Sequence, residues 1–223
     1  MSAVQGGAAD DLLSGLEGAG AAVETLAEGA VLLRKFAESE VAALLEAVRR
    51  ISAAAPFRQM TTPGGYRMSV AMSNCGLGWV TDRSGYRYDA IDPQTQRPWP
   101  PMPALFSRLA GRAAAAAGFH GFAPDACLIN RYEPGARLSL HQDKDEHTLD
   151  APIVSVSLGL PAVFLFGGPR RNDRPRRFRL ESGDAVVWGG PARLAFHGIG
   201  PLAEGDHPLT GRCRVNLTFR KAR

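Results

Sequence analysis

Two histidines and an aspartate are the residues of this chain best suited to hold a transition metal. His141 and Asp143 form a His-x-Asp pair directly after the strand-like segment RLSL. In an extended backbone positions i and i+2 share a face, so an imidazole and a carboxylate at that spacing reach one ion. His197 lies 54 residues after Asp143, at the end of RLAFH, which reads as part of another strand. Two neutral imidazoles and one carboxylate that leave coordination positions open are the ligand set of non-haem Fe(II) oxygenases. A zinc hydrolase uses the same ligand types. A chance His-x-Asp in the polar turn HQDKDE, beside an unrelated core histidine, is the third reading.

The last strand adds a second kind of chemistry. In RCRVNLTFR, Arg212, Arg214, Asn216, Thr218 and Arg220 share one face, while Cys213, Val215, Leu217 and Phe219 share the other. Such alternation is also what a solvated sheet face produces. Yet the Cα atoms of Arg214 and Arg220 should lie roughly 20 Å apart along a strand. With arms of roughly 6–7 Å each, two arginines leaning inward leave a gap of about 6–8 Å. That gap suits a small dicarboxylate held at both ends, and the guanidinium fork matches a carboxylate. Strand 126–132 offers a matching face through Leu128, Asn130 and Tyr132, where Asn130 and Tyr132 can hydrogen-bond the same diacid.

These residues need a β scaffold, and the pattern supplies one. From residue 126 onward short apolar segments recur between Gly, Pro and Asp turns: ACLINRY, RLSL, PIVSVSLG, AVFLFGG, RFRLESGDAVVWGG, RLAFHGI and RCRVNLTFR. Short strands at that spacing predict a sandwich or barrel. Two amphipathic helices precede it, one over 38–53 with Val41, Leu44, Leu45, Val48 and Ile51 on one face, the other over Met102–Ala117 and stopped by Gly118. AVLL (30–33) reads as a strand, and residues 1–29 read as a flexible Gly/Ala-rich segment with a short helix near Asp10–Leu16. Between the helices, 57–101 is rich in Gly, Pro, Met, Arg and aromatic residues and reads as hairpins and loops carrying recognition residues. The expected fold is mainly β with N-terminal helices, an α+β chain of one domain over 30–223 with its β core at 126–223.

Composition narrows the classes. The 223 residues carry 26 Lys+Arg against 22 Asp+Glu, with 45% hydrophobic residues, which excludes a mostly disordered chain. No run of eighteen uncharged apolar residues predicts a membrane span. Acids near the N-terminus, where a signal peptide needs bases, and three widely spaced cysteines point to a reduced, cytoplasmic protein, taken here as a monomer. Arg accounts for 23 of the cations, and 169–179 (PRRNDRPRRFR) packs six Arg and one Asp into eleven residues. Such a block is either a solvated loop or an edge that contacts phosphates.

The segments LINRYEPGARLSLHQDKDE, PIVSVSLGLPAVFLFGG, GDAVVWGG and RCRVNLTFR, together with FRQMTTPGGYRMSVAM and DPQTQRPWP, closely resemble the bacterial AlkB family from about residue 30 to the end. That family comprises Fe(II)/2-oxoglutarate-dependent dioxygenases that repair alkylated nucleic acid. The resemblance implies a double-stranded β-helix (jelly roll) with 57–101 as a nucleotide-recognition lid. It implies Fe(2+) held by His141, Asp143 and His197, with 2-oxoglutarate and O2 as cosubstrates. Arg214, helped by Tyr132 and Asn130, would take the distal carboxylate, and Asn216 and Arg220 would sit nearer the metal. A flipped base would lie between Trp79 and His141, with Asp145 meeting its exocyclic amine and Tyr86 and Arg171 contacting substrate nearby. The implied reaction is oxidative demethylation of 1-methyladenine and 3-methylcytosine in single-stranded DNA, and also in double-stranded DNA or RNA, releasing formaldehyde. NCGLGW is one residue shorter than the family's usual form, which tightens the turn before Trp79. Two rivals stand beside this: the same chemistry on a substrate that is not nucleic acid, and a nucleic-acid-binding jelly roll without catalysis. Trp188 and Trp99 read as packing residues, Met60, Met68 and Met72 as filler or as an adaptable lid. His120, His147 and His207 read as surface or turn residues, and Cys75 and Cys127 as inert.

Overall fold

Short segments, many of them apolar, build the strands of the computed structural model, which describes residues 22–223. A hairpin of β1 (Val23–Ala27) and β2 (Ala30–Leu33) comes first, then α1 (Val41–Ala54), preceded by a single 3-10 turn. Four strands follow: β3 (Arg58–Thr61), β4 (Arg67–Gly76), β5 (Gly78–Asp82) and β6 (Gly85–Asp89). After α2 (Ala104–Ala116) come β7 (Ala126–Tyr132), β8 (Leu138–His141), β9 (Ile153–Gly159), β10 (Ala162–Phe166), β11 (Arg176–Leu180), β12 (Ala185–Trp188), β13 (His197–Ile199) and β14 (Arg214–Arg220).

The strands form an eight-stranded sheet in the order β1-β2-β12-β9-β14-β7-β4-β3 and a four-stranded sheet in the order β11-β10-β13-β8. The inner faces of the two sheets meet in one core, where Leu32, Met72, Ile153 and Trp188 from the large sheet join Phe164, Phe166, Phe178 and Ile199 from the small one. This is the jelly roll. The outer face of the large sheet is equally apolar, with Ile129, Val154, Val156, Leu217 and Phe219, and it is covered by α1 and α2. Val41, Leu44, Leu45, Val48 and Ile51 are buried, so the helical spacing read from the sequence is the packing face of α1. On α2, Phe106 meets Phe219 of β14 edge-on at 5.8 Å between ring centroids. Gly118 ends that helix at φ +87°, a left-handed turn that closes with Gly118 and Phe119 N–H donating to the Ala115 and Ala114 carbonyls.

Three expectations are corrected. The flexible segment was drawn to residue 29, yet β1 pairs antiparallel with β2 and forms the edge of the large sheet, so 23–29 belong to the fold. The helix expected near Asp10–Leu16 lies outside the described residues. RLAFHGI is not a strand from its start: a 3-10 turn with a proline over Gly190–Ala192 precedes it, and His197 opens β13. Of 57–101, β3 and β4 extend the large sheet, and only the β5–β6 hairpin stands apart. Trp99 is buried, and its indole lies where a Cβ on Gly78 would collide with it. Trp99 and Trp188 are both packing residues, as read. Among the described residues no helix is long and apolar enough to cross a membrane.

Arg58 of β3 holds the loop after β6. Its Nη1 and Nη2 donate to Asp92 Oδ2 and Oδ1 at 2.7 and 2.6 Å, and its guanidinium lies 5.1 Å from the Trp99 ring centroid. Burial alone would push the Asp92 carboxyl up, but Arg58 and the Gln94 N–H outweigh it and hold it below its ordinary value. The stabilisation is therefore present above the unfolded carboxylate value, near ~3.9, and fades as pH falls through the lower folded one. Asp92→Asn should cost about 2–4 kcal/mol in urea denaturation at pH 7. The gap from wild type should narrow below about pH 4; a gap independent of pH would contradict this assignment.

Candidate metal centre

His141 and His197 are register partners on the adjacent strands β8 and β13, which brings their imidazoles to the inner face with ring centroids 4.4 Å apart. Asp143, two residues beyond β8, approaches both: its Oδ1 is 3.5 Å from His141 Nε2 and its Oδ2 is 3.7 Å from His197 Nε2. One ligand atom from each of the three lies within 4.8 Å of the others. Each ring turns Nδ1 to a backbone carbonyl, His141 to Ser139 at 2.9 Å and His197 to Ala195 at 3.0 Å. Those carbonyls make Nδ1 the protonated nitrogen and leave both Nε2 lone pairs facing the carboxylate. His-x-Asp and the distant His197 therefore form one metal-binding triad.

The carboxylate is kept charged. Burial would raise the Asp143 value, yet the Arg220 charge and the two imidazoles bring it well below the ordinary carboxylate range. For His141 burial lowers the value, and the hydrogen bond and charge of Asp143 more than restore it; His197 is lowered, by burial and by His141. Arg220 Nε and Nη2 both donate to Asp143 Oδ2, at 3.0 and 2.6 Å. Glu146 lies 3.4 Å from Arg220 Nε through Oε1 and accepts from Arg193 Nη2 at 3.0 Å through Oε2. Arg193 Nη1 in turn donates to the Asp143 carbonyl at 2.6 Å. Two buried cations thus balance two buried anions behind the imidazoles.

The inner face of β14 continues away from this centre and is buried, not solvated. Asn216 Nδ2 donates to Ser155 Oγ at 2.8 Å and to the Val156 carbonyl at 3.1 Å, while its Oδ1 accepts from Asn130 and Thr218. Arg214, 1% exposed, donates from Nη2 to Ser157 Oγ at 3.0 Å and lies 4.9 Å from the Tyr132 ring centroid. Its Nε and Nη1, and Asn130 Oδ1, are buried with no partner among the described residues. Burial pushes the Arg214 value down, with Tyr132 offsetting part of the effect. Open guanidinium donors beside the Tyr132 ring and the Ser157 hydroxyl fit a diacid whose far carboxylate reaches Arg214. Of the two arginines read as gripping the ends of a diacid, Arg214 has open donors, whereas Arg220 Nε and Nη2 lie on Asp143.

The aromatic residues sit on the free hairpin. Asn74 clamps Trp79 by accepting its N–H at 3.1 Å and donating to its carbonyl at 3.2 Å, which fixes the shortened NCGLGW turn. Trp79 stacks on Tyr86 at 5.4 Å, and its Nε1–H donates to Asp145 Oδ2 at 2.8 Å. Trp79, Tyr86 and Asp145 thus form one cluster, in which Trp79 meets Tyr86 and not His141. Arg171 lies farther along, donating to the Leu140 carbonyl at 3.1 Å. Tyr88 donates to Glu146 Oε1 at 2.7 Å, which ties the hairpin to the charge network behind the metal ligands. Cys75 and Cys127 are buried, and burial pushes the Cys127 thiol well up, as befits inert residues. Met60 and Met72 are core residues; His120 and His147 are exposed and His207 sits half-buried in a turn.

Glu146, Arg193, Tyr88, Ser155 and Ser157 escaped the sequence reading. The serines had a signal, since they alternate with Val154, Val156 and Leu158 in IVSVSLG. Glu146 was hidden in the charged run HQDKDE, and Arg193 among many other arginines.

A jelly roll whose inner face presents two histidines and one carboxylate defines a non-haem metal oxygenase scaffold. Residues 29–220 match the family model of the 2OG-Fe(II) oxygenase superfamily, and the chain belongs to that superfamily. It is 64% identical over 200 residues to the alpha-ketoglutarate-dependent dioxygenase AlkB of Escherichia coli strain K12, covering 89% of this chain and 93% of that protein. It is 38% identical over 130 residues to the DNA N(6)-methyladenine demethylase ALKBH1D of Arabidopsis thaliana, covering 52% of this chain and 29% of that one. The solved structure of OsALKBH1 superposes with a TM-score of 0.81 at 30% identity, covering 90% of this chain and all of that one. Iron and 2-oxoglutarate, with O2, are the cofactor and cosubstrates of this family, and the triad and the open Arg214 fork fit them.

Arg220→Ala should leave Asp143 buried against Glu146 without its cation. The expected result is a loss of about 3–5 kcal/mol in stability and a roughly 10–100-fold weaker Mn(II) affinity by titration. Wild-type metal affinity in that variant would show that Arg220 does not orient the ligand.

Proposed function

We propose that this dioxygenase demethylates N-alkylated bases, 1-methyladenine and 3-methylcytosine, in nucleic acid. The observation that carries the reading is the aromatic hairpin with Trp79, Tyr86 and Asp145, tied through Tyr88 and Glu146 to the charge network of a buried metal triad. The identity to AlkB and to a DNA demethylase supports it. Bound iron, with 2-oxoglutarate and O2, supplies the oxidation of the N-methyl group, which leaves as formaldehyde while 2-oxoglutarate becomes succinate and CO2.

The chain's own residues bind, aim and enclose. His141, Asp143 and His197 hold the metal, and Arg220 fixes Asp143. Arg214, with Tyr132 and Asn130, takes the distal carboxylate of 2-oxoglutarate, and Asn216 and Arg220 border its metal end. Trp79 offers a ring face to the extruded base, opposite His141. Asp145, now accepting the Trp79 indole N–H, is the acceptor suited to an exocyclic amine and the positive charge of a methylated ring. Tyr86 and Arg171 contact the neighbouring nucleotide. Methylation at a Watson–Crick position unpairs the base and makes it cheaper to extrude, and a single strand needs no unpairing. Single-stranded DNA is therefore the preferred substrate, with double strands and RNA also accepted. The three free cysteines suit work in the reducing cytoplasm.

Mass spectrometry of a single-stranded oligonucleotide bearing one 1-methyladenine tests this directly. With Fe(II), 2-oxoglutarate and air the methyl should be lost, and His141→Ala or omission of 2-oxoglutarate should reduce the loss to background. An unchanged oligonucleotide while 2-oxoglutarate is consumed would contradict the substrate. Trp79→Ala should lower kcat/KM roughly 10–100-fold, since one base–aromatic stack is worth about 1–3 kcal/mol; an unchanged value would remove Trp79 from the base pocket.

A further inference from the structure

Arg171 apart, the outward face of the small sheet takes no part in the site described above, yet it has a definite chemistry. A groove of about 540 Å³ crosses it, floored by Leu140 of β8 and Leu165 of β10 and flanked by Arg137 and Arg171. Among the described residues no carboxylate lines it. Directly paired residues of an antiparallel ladder share a face, and Leu165 pairs with Arg177 on one side and with Gly198 on the other. Arg177 therefore stands beside the floor while Phe178 and Leu180 of the same strand point into the core. Gly198 keeps the floor low, because a Cβ there would sit 2.6 Å from the Leu138 carbonyl oxygen.

The arginine block divides by partner. Arg170 pairs with Asp173, Arg179 with Glu181, and Arg176 donates to the Leu26 carbonyl. Arg177 and Arg137 are exposed, and among the described residues neither side chain is in an ion pair or hydrogen bond. Arg171 lies over the Phe196 ring at 5.8 Å and donates to the Leu140 carbonyl, one residue before the metal ligand His141. Leu140 thus sits one residue from the metal ligand His141, on the opposite face of the edge strand β8. A merely solvated charged face has no uncovered apolar floor between its cations. A single nucleic-acid strand has the complementary build, with flat apolar bases along one edge and anionic phosphates along the other.

We propose that this groove carries the strand flanking the damaged nucleotide, bases against Leu140 and Leu165, phosphates against Arg137, Arg171 and Arg177. The proposal rests on nucleic acid being the substrate and extends it: affinity should grow with strand length beyond the nucleotides at the pocket.

Arg137→Ala/Arg177→Ala removes two cations that touch neither metal ligands nor the hairpin. Fluorescence anisotropy would follow an unmodified single strand of about 20 nucleotides across a salt series, with demethylation of a 1-methyladenine trinucleotide measured in parallel. The double variant should bind the long strand several-fold more weakly, with a log K against log salt slope smaller by about 1.4, from roughly 0.7 per single-strand phosphate. Its trinucleotide kcat/KM should stay at the wild-type value, which also shows that it folds. Wild-type affinity and slope in the double variant would overturn the proposal. So would an acidic peptide such as poly-glutamate binding wild type as tightly as the oligonucleotide, which would make the groove a protein-docking site. If wild type fails on the trinucleotide, the substrate reading falls separately, because strand binding is read without turnover.

Discussion

A strand buried on both faces must find partners for every polar group it carries, and β14 is buried along its whole length while carrying two arginines, an asparagine and a threonine. Its outer face solves the ordinary problem, packing Val215, Leu217 and Phe219 under the helices. The inner face poses the expensive one. Arg220 is neutralised by Asp143, and Asn216 and Thr218 are satisfied by each other, by Asn130 and by β9. Among the described residues the buried Arg214 Nε and Nη1 have no partner, and no anion reaches the guanidinium. A guanidinium in that condition is held in place by the fold, and an incoming carboxylate relieves it.

The same strand ties the two halves of the site together. Arg220 sits six residues from Arg214 and grips the metal-ligand carboxylate, so the diacid end and the metal end share one rigid element. Behind the imidazoles, Glu146 gathers Arg220, Arg193 and the Tyr88 hydroxyl. The aromatic hairpin is therefore anchored to the network that holds the metal ligand, through Tyr88 to Glu146 and through Trp79 to the neighbouring Asp145. Trp79 is thereby fixed relative to the triad.

Much of this is legible in the sequence. The period-2 alternation of RVNLTFR and ACLINRY placed Arg214, Asn216, Asn130 and Tyr132 on facing sides of paired strands, and the registers pair Asn216 with Asn130 and Arg214 with Tyr132. His-x-Asp after RLSL was legible because ligand spacing on a strand is local. What escaped was long-range. Whether Arg220 meets a diacid or Asp143 depends on where the loop after β8 returns, which no window of sequence reports. Glu146 looked like any member of a charged turn, because burial of a charge is decided by partners far along the chain. β1 was missed because VETLA reads as polar, and it is held by pairing with β2 at the edge of the sheet. The start of RLAFHGI looked like strand because its apolar residues hide the turn that Pro191 begins.

The account turns on Arg214 as the receiver of a second carboxylate, and calorimetry with Mn(II) in place of iron tests it most directly. 2-Oxoglutarate and 2-oxobutyrate, which lacks the distal carboxylate, would be titrated into wild type and Arg214→Met. Wild type should prefer the diacid by roughly 100-fold, the scale of one buried charge-assisted pair at about 1.5–3 kcal/mol or more, and Arg214→Met should lose that preference. Equal affinity of wild type for the two acids would contradict the account.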